Sequence, residues 1–266
     1  MPRDWTMLKS LGTASPTAAF AVILAVALAG LTACAPAPPA PAPPASPSAG
    51  TVPPAPASVP LAIQWVNGSA ERRAILLQTF RAATASLDTL ARGRTPGTWA
   101  IIADADETIL DNSPYEVRRA VQGLGFSEAS WAEWVREEAA PALPGAQAFL
   151  QRVHTLGGRV IVVTNRRDAL CDATRANLAK DGLDADLVLC RLGTEDKNPR
   201  FHAVQDGTAS AELPPLKVVM WLGDNIRDFP QMSQSVKDRP DTAFESFGSI
   251  YFVMPNPMYG SWQTSG

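Results

Sequence analysis

Five short apolar runs divide this chain, and helical spacing fills much of the sequence between them. The runs are "WAIIA" from Trp99, "RVIVVTNRRD" from Arg159, "ADLVLCRL" from Ala185, "LKVVMWLG" from Leu216 and "SIYFV" from Ser249. Between Ser69 and Leu90, Ala74, Leu77, Phe80, Ala83, Leu87 and Leu90 recur at helical intervals, and Gly93 and Pro96 end the pattern. "FSEASWAEWVREEAAP" predicts a short helix with Ser127 as its N-cap and Pro141 as its stop. Leu143-Pro144-Gly145-Ala146 opens another, ending near Gly157-Gly158, and Asp168 to Lys180 is a further helix. Strands that are apolar throughout and alternate with helices imply an α/β fold, a parallel sheet flanked by helices on both faces.

Polar residues gather directly after these strands. Asp104, Asp106, Glu107, Asp111 and Glu116 follow the first run, Thr164 and Asn165 the second, and Gly223-Asp224-Asn225 with Asp228 the fourth. Open α/β sheets bind ligands at the carboxyl ends of their strands, so carboxylates distant in sequence are brought into one crevice. Asp104, Asp106, Asp224 and Asp228 together would repel one another and resist ionisation unless a cation balanced them. An all-oxygen ligand set suits a hard cation such as Mg²⁺. His154 and His202 are the only histidines and the cysteines lie elsewhere, which argues against zinc. Glu107 and Asp111 are expected to be structural, His154 to lie on a helix surface and His202 in a loop. "EDKNPRF", which carries Lys197, reads as a loop.

The start of the chain is of another kind. Arg3 and Lys9 precede an apolar run from Ala18 to Leu31, and Leu31-Thr32-Ala33-Cys34 follows. Residues 1–33 are expected to be a secretory leader. The tetrapeptide resembles a bacterial lipobox, which would make Cys34 a lipidated new N-terminus. Residues 35–60 are almost wholly Ala, Pro and Ser, a composition that forms an extended tether and no core, so the tether is placed at 34–60. Cys171 and Cys190 are either a disulfide, permitted outside the cytoplasm, or two buried thiols. A net charge of −3 gives no basic footprint for a nucleic-acid polymer.

These residues carry a family resemblance. Asp104-Ala105-Asp106-Glu107-Thr108 matches the DxDxT signature of the haloacid dehalogenase superfamily. Thr164 after a strand, Lys197, and Gly223-Asp224-Asn225-Ile226-Arg227-Asp228-Phe229 resemble its later motifs. "DETILDNSPYE", "GDNIRDF" and "PNPMYGSW" are similar to the bacterial lipoprotein acid phosphatases of class C, which include lipoprotein 5′-nucleotidases. The resemblance covers roughly residues 65–263. Ala105 departs from it, where a larger apolar residue is expected.

The resemblance implies a Rossmann-like haloacid dehalogenase core over residues 61–266, with a small, mainly helical cap at about 112–141. It implies a Mg²⁺-dependent phosphomonoesterase acting on nucleoside 5′-monophosphates through an aspartyl-phosphate. Asp104 would be the nucleophile. Mg²⁺ would be bound by Asp104, Asp224 and the main-chain carbonyl of Asp106. The Asp106 side chain would protonate the leaving group and then activate water. Thr164 and Asn165 would hold phosphate oxygens, Lys197 would neutralise charge, and Asp228 would orient Lys197 or metal-bound water. Trp134, preferred over Trp131, and Tyr259 would sandwich a base. The expected partners are a small phosphomonoester and, through the lipid anchor, a membrane; two membranes would place the protein on the outer one. Two alternatives stand beside this reading: a broad acid phosphatase without nucleotide preference, and a non-catalytic surface lipoprotein. The oligomeric state is not legible.

Overall fold

The computed structural model describes residues 58–264, so the leader, Cys34 and most of the tether lie outside the described residues. In chain order the elements are α1 (Leu61–Gly68), α2 (Ala70–Leu90), β1 (Trp99–Ala103), α3 (Ser113–Val121), α4 (Glu128–Glu137), α5 (Ala146–Thr155), β2 (Arg159–Arg167), α6 (Cys171–Lys180), β3 (Leu187–Arg191), α7 (Asn198–Asp206), β4 (Lys217–Gly223) and β5 (Tyr251–Val253). Ser69 caps α2 by accepting from the Arg72 amide, and Ser127 caps α4 by accepting from Ser130.

The five strands form one parallel sheet in the order β3-β2-β1-β4-β5. Successive side chains of a strand point to opposite faces, and both faces here are covered. Ile101, Ala103, Val160, Val162, Met220 and Leu222 join one core with α2 and α4–α6, whereas Ala100, Ile102, Ile161, Val163 and Val218 join a second with Phe201 and Val204 of α7. That double burial explains why the strands are apolar without alternation.

The chain builds β1, β2 and β3 in one direction, then crosses back to place β4 on the other side of β1. The order therefore reverses between β1 and β4, and a crevice opens beyond their carboxyl ends. Asp104 follows β1 and Asp224 follows β4, so the topology delivers both to that crevice. Residues 112–141 hold α3 and α4; α3 packs on α1 and α4 on α6. Cys171 at the start of α6 and Cys190 in β3 are joined by a disulfide.

One stretch differs from the sequence reading. "EDKNPRF" is not wholly loop, because α7 begins at Asn198 with Pro199 in its first turn. The first turn has no internal acceptor for an amide there, so Pro starts a helix as readily as it breaks one. His202 accordingly lies on α7. His154 sits on α5 and pairs with Asp186 at 3.0 Å.

Candidate active site

The Asp104 amide donates to the Leu222 carbonyl at 2.9 Å, which ties the first residue beyond β1 to the end of β4. Carboxylate oxygens of Asp104, Asp224 and Asp228 all lie within 4.8 Å of one another. Gly223 permits this approach: a Cβ there would fall 2.2 Å from Cβ of Asp228. Asp228 divides its two oxygens. Oδ2 accepts from the Asn225 amide at 2.9 Å, closing the turn after β4, and Oδ1 accepts from Lys197 Nζ at 2.7 Å. Lys197, buried at the N-terminus of α7, donates to Asp104 as well. Asn256 Nδ2 steadies Asp224 at 2.7 Å.

Burial dominates the electrostatics. It pushes the Asp104 carboxyl up to about 7, helped by repulsion from Asp228 and Asp106 and opposed by the Lys197 ammonium. Burial and the neighbouring Asp228 and Asp104 likewise raise Asp224 well above the ordinary carboxylate range. For Lys197 burial acts downward, but Asp104 and Asp228 overcome it and hold the ammonium above its usual value. Lys197 pairs with Asp104 and Asp228 but not with Asp224, so one ammonium faces three clustered carboxylates and, once these ionise, the excess negative charge is the kind a divalent cation balances. The donor set is all oxygen, as Mg²⁺ requires, so these residues fit the metal.

Asp106 turns its side chain away from this cluster. Its carboxylate meets the Arg166 guanidinium at 2.8 and 3.0 Å and Asn112 Nδ2 at 2.9 Å. The turn that presents it contains Glu107 at φ 53°, a left-handed conformation secured because the buried Glu107 carboxylate accepts from the Asn112 amide at 2.8 Å and from Asn112 Nδ2 at 3.3 Å. Burial, then Asp106 and Asp224, raise the Glu107 pKa well above normal.

Asp104, Asp106, Asn165, Lys197, Asp224, Asp228 and Tyr259 line one cavity of about 570 Å³. A second, of about 590 Å³, adjoins it through Asp106, Asn165 and Tyr259, and its far wall carries Trp131, Phe126 and Met258. Asn165 is exposed, its Oδ1 accepting from Arg200 at 2.6 Å and its Nδ2 donating to the Glu195 carbonyl at 3.0 Å.

Two expected contacts are not placed on these walls. Thr164 is fully buried and lines neither cavity; its Oγ1 accepts from the Arg166 amide at 3.1 Å and shapes the strand end instead. Trp134 is also buried, its Nε1 donating to Asn112 Oδ1 at 2.8 Å. The expectation that Trp134 faces substrate is therefore corrected: Trp131, one turn earlier on α4, lines the cavity.

The profile of HAD superfamily, subfamily IIIB (acid phosphatase) matches residues 51–262. The chain belongs to this family. Crystal structures of the class C acid phosphatase from Bacillus anthracis share the fold. The one with tungstate bound is 30% identical, with a TM-score of 0.68 over 77% of this chain and 86% of that one. A second structure of that protein gives 31% and 0.67 over the same shares. Acid phosphatase 1 of Solanum lycopersicum is 27% identical over 159 residues, 59% of this chain. The match spans only 57% of that relative's length.

In this family member several site residues carry no obvious sequence signal. Arg166 and Arg200 belong to no motif read from the sequence alone, although each contacts a residue that does, and Asn112 lies within "DETILDNSPYE" without a role that the sequence assigns. For Arg166 a signal exists in the alternation that continues beyond the apolar run. Thr164 and Arg166 are buried while Asn165 and Arg167 are exposed, so Arg166 shares the inward face of Thr164.

Proposed function

We propose that the protein is a Mg²⁺-dependent phosphomonoesterase that hydrolyses nucleoside 5′-monophosphates through an aspartyl-phosphate on Asp104. The observation that carries this reading is the meeting of Asp104, Asp224 and Asp228 at the switch point of the sheet, with Lys197 bonded to Asp104 and Asp228. Family membership and the named acid phosphatases among its relatives support the reaction class.

An oxygen of Asp104 attacks phosphorus as the bond to the leaving oxygen breaks. Asp106 gives that oxygen a proton, then takes one from the water that attacks the aspartyl-phosphate and frees inorganic phosphate. Lys197, fixed by Asp104 and Asp228, meets the charge developing on the phosphoryl oxygens. Asn165, exposed on the same wall, is placed to orient them. Bound Mg²⁺, held by the carboxylates of Asp104 and Asp224 and the carbonyl of Asp106, would neutralise the charge that otherwise repels an anionic nucleophile from a phosphate. Trp131 and Tyr259 line the space beyond the phosphate and offer ring faces to a base.

A specific observation keeps the broad acid phosphatase in view. Every arginine of the aromatic cavity is paired with a carboxylate of the same cavity, Arg166 with Asp106 at 2.8 Å, Arg167 with Glu128 at 2.9 Å and Arg191 with Glu195 at 2.7 Å. That leaves stacking as the main recognition of the leaving group, and stacking tolerates any flat ring. We further propose an exported protein tethered to a membrane through lipidated Cys34, on the outer membrane where two are present.

The deciding experiment is hydrolysis of adenosine 5′-monophosphate with and without chelator, for the wild type and for Asp104→Asn. Activity lost in both is expected; equal rates in chelator, or an active Asp104→Asn, would overturn the mechanism. Comparing the nucleotide with phenyl phosphate separates the two substrate readings.

A further inference from the structure

We propose that Arg166 is a positioning residue for the proton transfer: with Asn112 it saturates Oδ1 of Asp106 and leaves Oδ2 as the oxygen that exchanges a proton with the leaving group. The inference rests on the reading of Asp106 as the acid in the reaction proposed above.

The two oxygens of Asp106 are treated unequally. Oδ1 accepts from Arg166 Nη2 at 2.8 Å, from Asn112 Nδ2 at 2.9 Å and from Arg166 Nε at 3.0 Å. Oδ2 has only the long arm of the Arg166 Nε contact, at 3.3 Å. A carboxylate oxygen offers about two lone-pair directions, so three donors leave Oδ1 no room for a proton of its own. A proton on Asp106 therefore resides on Oδ2.

The donors are themselves held. The Arg166 side chain has no solvent exposure; its Nη1 reaches Thr174 Oγ1 at 3.4 Å and its guanidinium lies 5.5 Å from the Trp131 ring centroid. Asn112 is fixed by Glu107 below and by the Trp134 indole, which donates to Asn112 Oδ1. A planar fork locked at both ends sets the direction in which Asp106 faces, which an ammonium could not do as well.

In the step concerned, the bond from Asp104 to phosphorus forms and the bond to the ester oxygen breaks. The proton on Asp106 Oδ2 passes to that oxygen, releasing an alcohol and leaving a carboxylate. An ester whose leaving oxygen is weakly basic needs no such proton. A residue that only aligns the acid should therefore matter for poor leaving groups and not for good ones, whereas a residue that only stabilises the fold should affect both alike.

The test is kcat/KM for an alkyl phosphate and for 2,4-dinitrophenyl phosphate, because this ratio reports steps up to phosphoryl transfer and excludes later hydrolysis. Arg166→Gln is expected to lose about 100-fold on the alkyl ester and less than about 5-fold on the dinitrophenyl ester, the size of general acid catalysis. Arg166→Lys should recover part of the alkyl rate. Equal losses on both esters would overturn the inference. Asp106→Asn is run beside them. If it alone is selective, the inference fails and the proposed function stands; if it too is unselective, the acid assignment itself fails. Thermal melting accompanies each variant. Should Arg166→Gln not fold, Arg166→Lys decides by the same criterion.

Discussion

Lys197 donates to Asp228 across 2.7 Å, and the two residues reach this contact from different elements, the N-terminus of α7 and the turn after β4. The same ammonium also serves Asp104. Replacing it by an apolar side chain leaves buried carboxylates facing one another. Removing one partner of a buried ion pair costs about 3–5 kcal/mol. Lys197→Met is therefore expected to be destabilised by about that amount at pH 7.5 in chelator, by urea denaturation, and to be almost inactive. The deficit should shrink at pH 5, where the carboxylates can take up protons. A variant as stable as the wild type at pH 7.5 would mean that the pair contributes nothing.

Asp104 sets a pH dependence of its own. Its folded-state pKa is raised from an ordinary 3.8 to about 7 in the metal-free protein. Between these values the folded state binds more protons than the unfolded state, so stability falls as pH rises through the window. Each tenfold change in proton affinity is worth about 1.4 kcal/mol, so the contribution is at most about 4 kcal/mol. Wild type in chelator should lose stability between pH 5 and 7.5 more steeply than Asp104→Asn. Mg²⁺ should raise the melting temperature more at pH 7.5 than at pH 5, because the ion binds the ionised carboxylates and only the folded state gathers them. Parallel pH profiles for the two proteins would show that Asp104 titrates alike in the folded and unfolded chain.

Trp131 and Trp134 should separate cleanly. Trp131 lines the cavity, so Trp131→Ala is expected to raise KM for adenosine 5′-monophosphate by about 10-fold or more, corresponding to stacking of ~1–3 kcal/mol. Trp134 is buried and donates to Asn112, so Trp134→Ala should cost about 3–5 kcal/mol of stability and leave the Asn112 amide oxygen only its longer contact with Arg166, at 3.4 Å. Steady-state kinetics and denaturant melts of both variants check this. A larger KM effect in a well-folded Trp134→Ala than in Trp131→Ala would reverse the assignment.

Much of the architecture was legible because it is written in single-strand composition. Ile101 and Ile102 point to opposite faces and are both buried, so the run betrays a central strand. Asp104 and Asp224 were legible because each directly follows such a run. The choice between Trp131 and Trp134 was not, since both lie on one side of α4 and only the packing partner decides which is enclosed. That partner, Asn112, belongs to a turn whose left-handed Glu107 has no sequence signature. The helix that begins at Asn198 within "EDKNPRF" was not legible, because a proline such as Pro199 ends a helix from inside yet begins one from its first turn. The buried role of Thr164 follows from the strand running on to Arg167, past the point where its apolar character ends.

Cys171 and Cys190 close a 19-residue separation between the start of α6 and the end of β3. Both ends lie close to functional segments: Cys171 comes shortly after Asn165 and Arg166, and Cys190 shortly before Glu195 and Lys197. A crosslink over a loop of this length stabilises by about 3 kcal/mol, chiefly by limiting the unfolded chain. The Cys171→Ala, Cys190→Ala double variant should lose about that much in denaturant melts. Because β2 and β3 pair up to Arg167 and Arg191 just beyond the bond, the variant should also lower kcat by loosening the segment that presents Lys197. Reductant should reproduce the stability loss in the wild type and leave the double variant unchanged. A reduced wild type that melts with the oxidised protein would show that packing alone holds these two strand ends together.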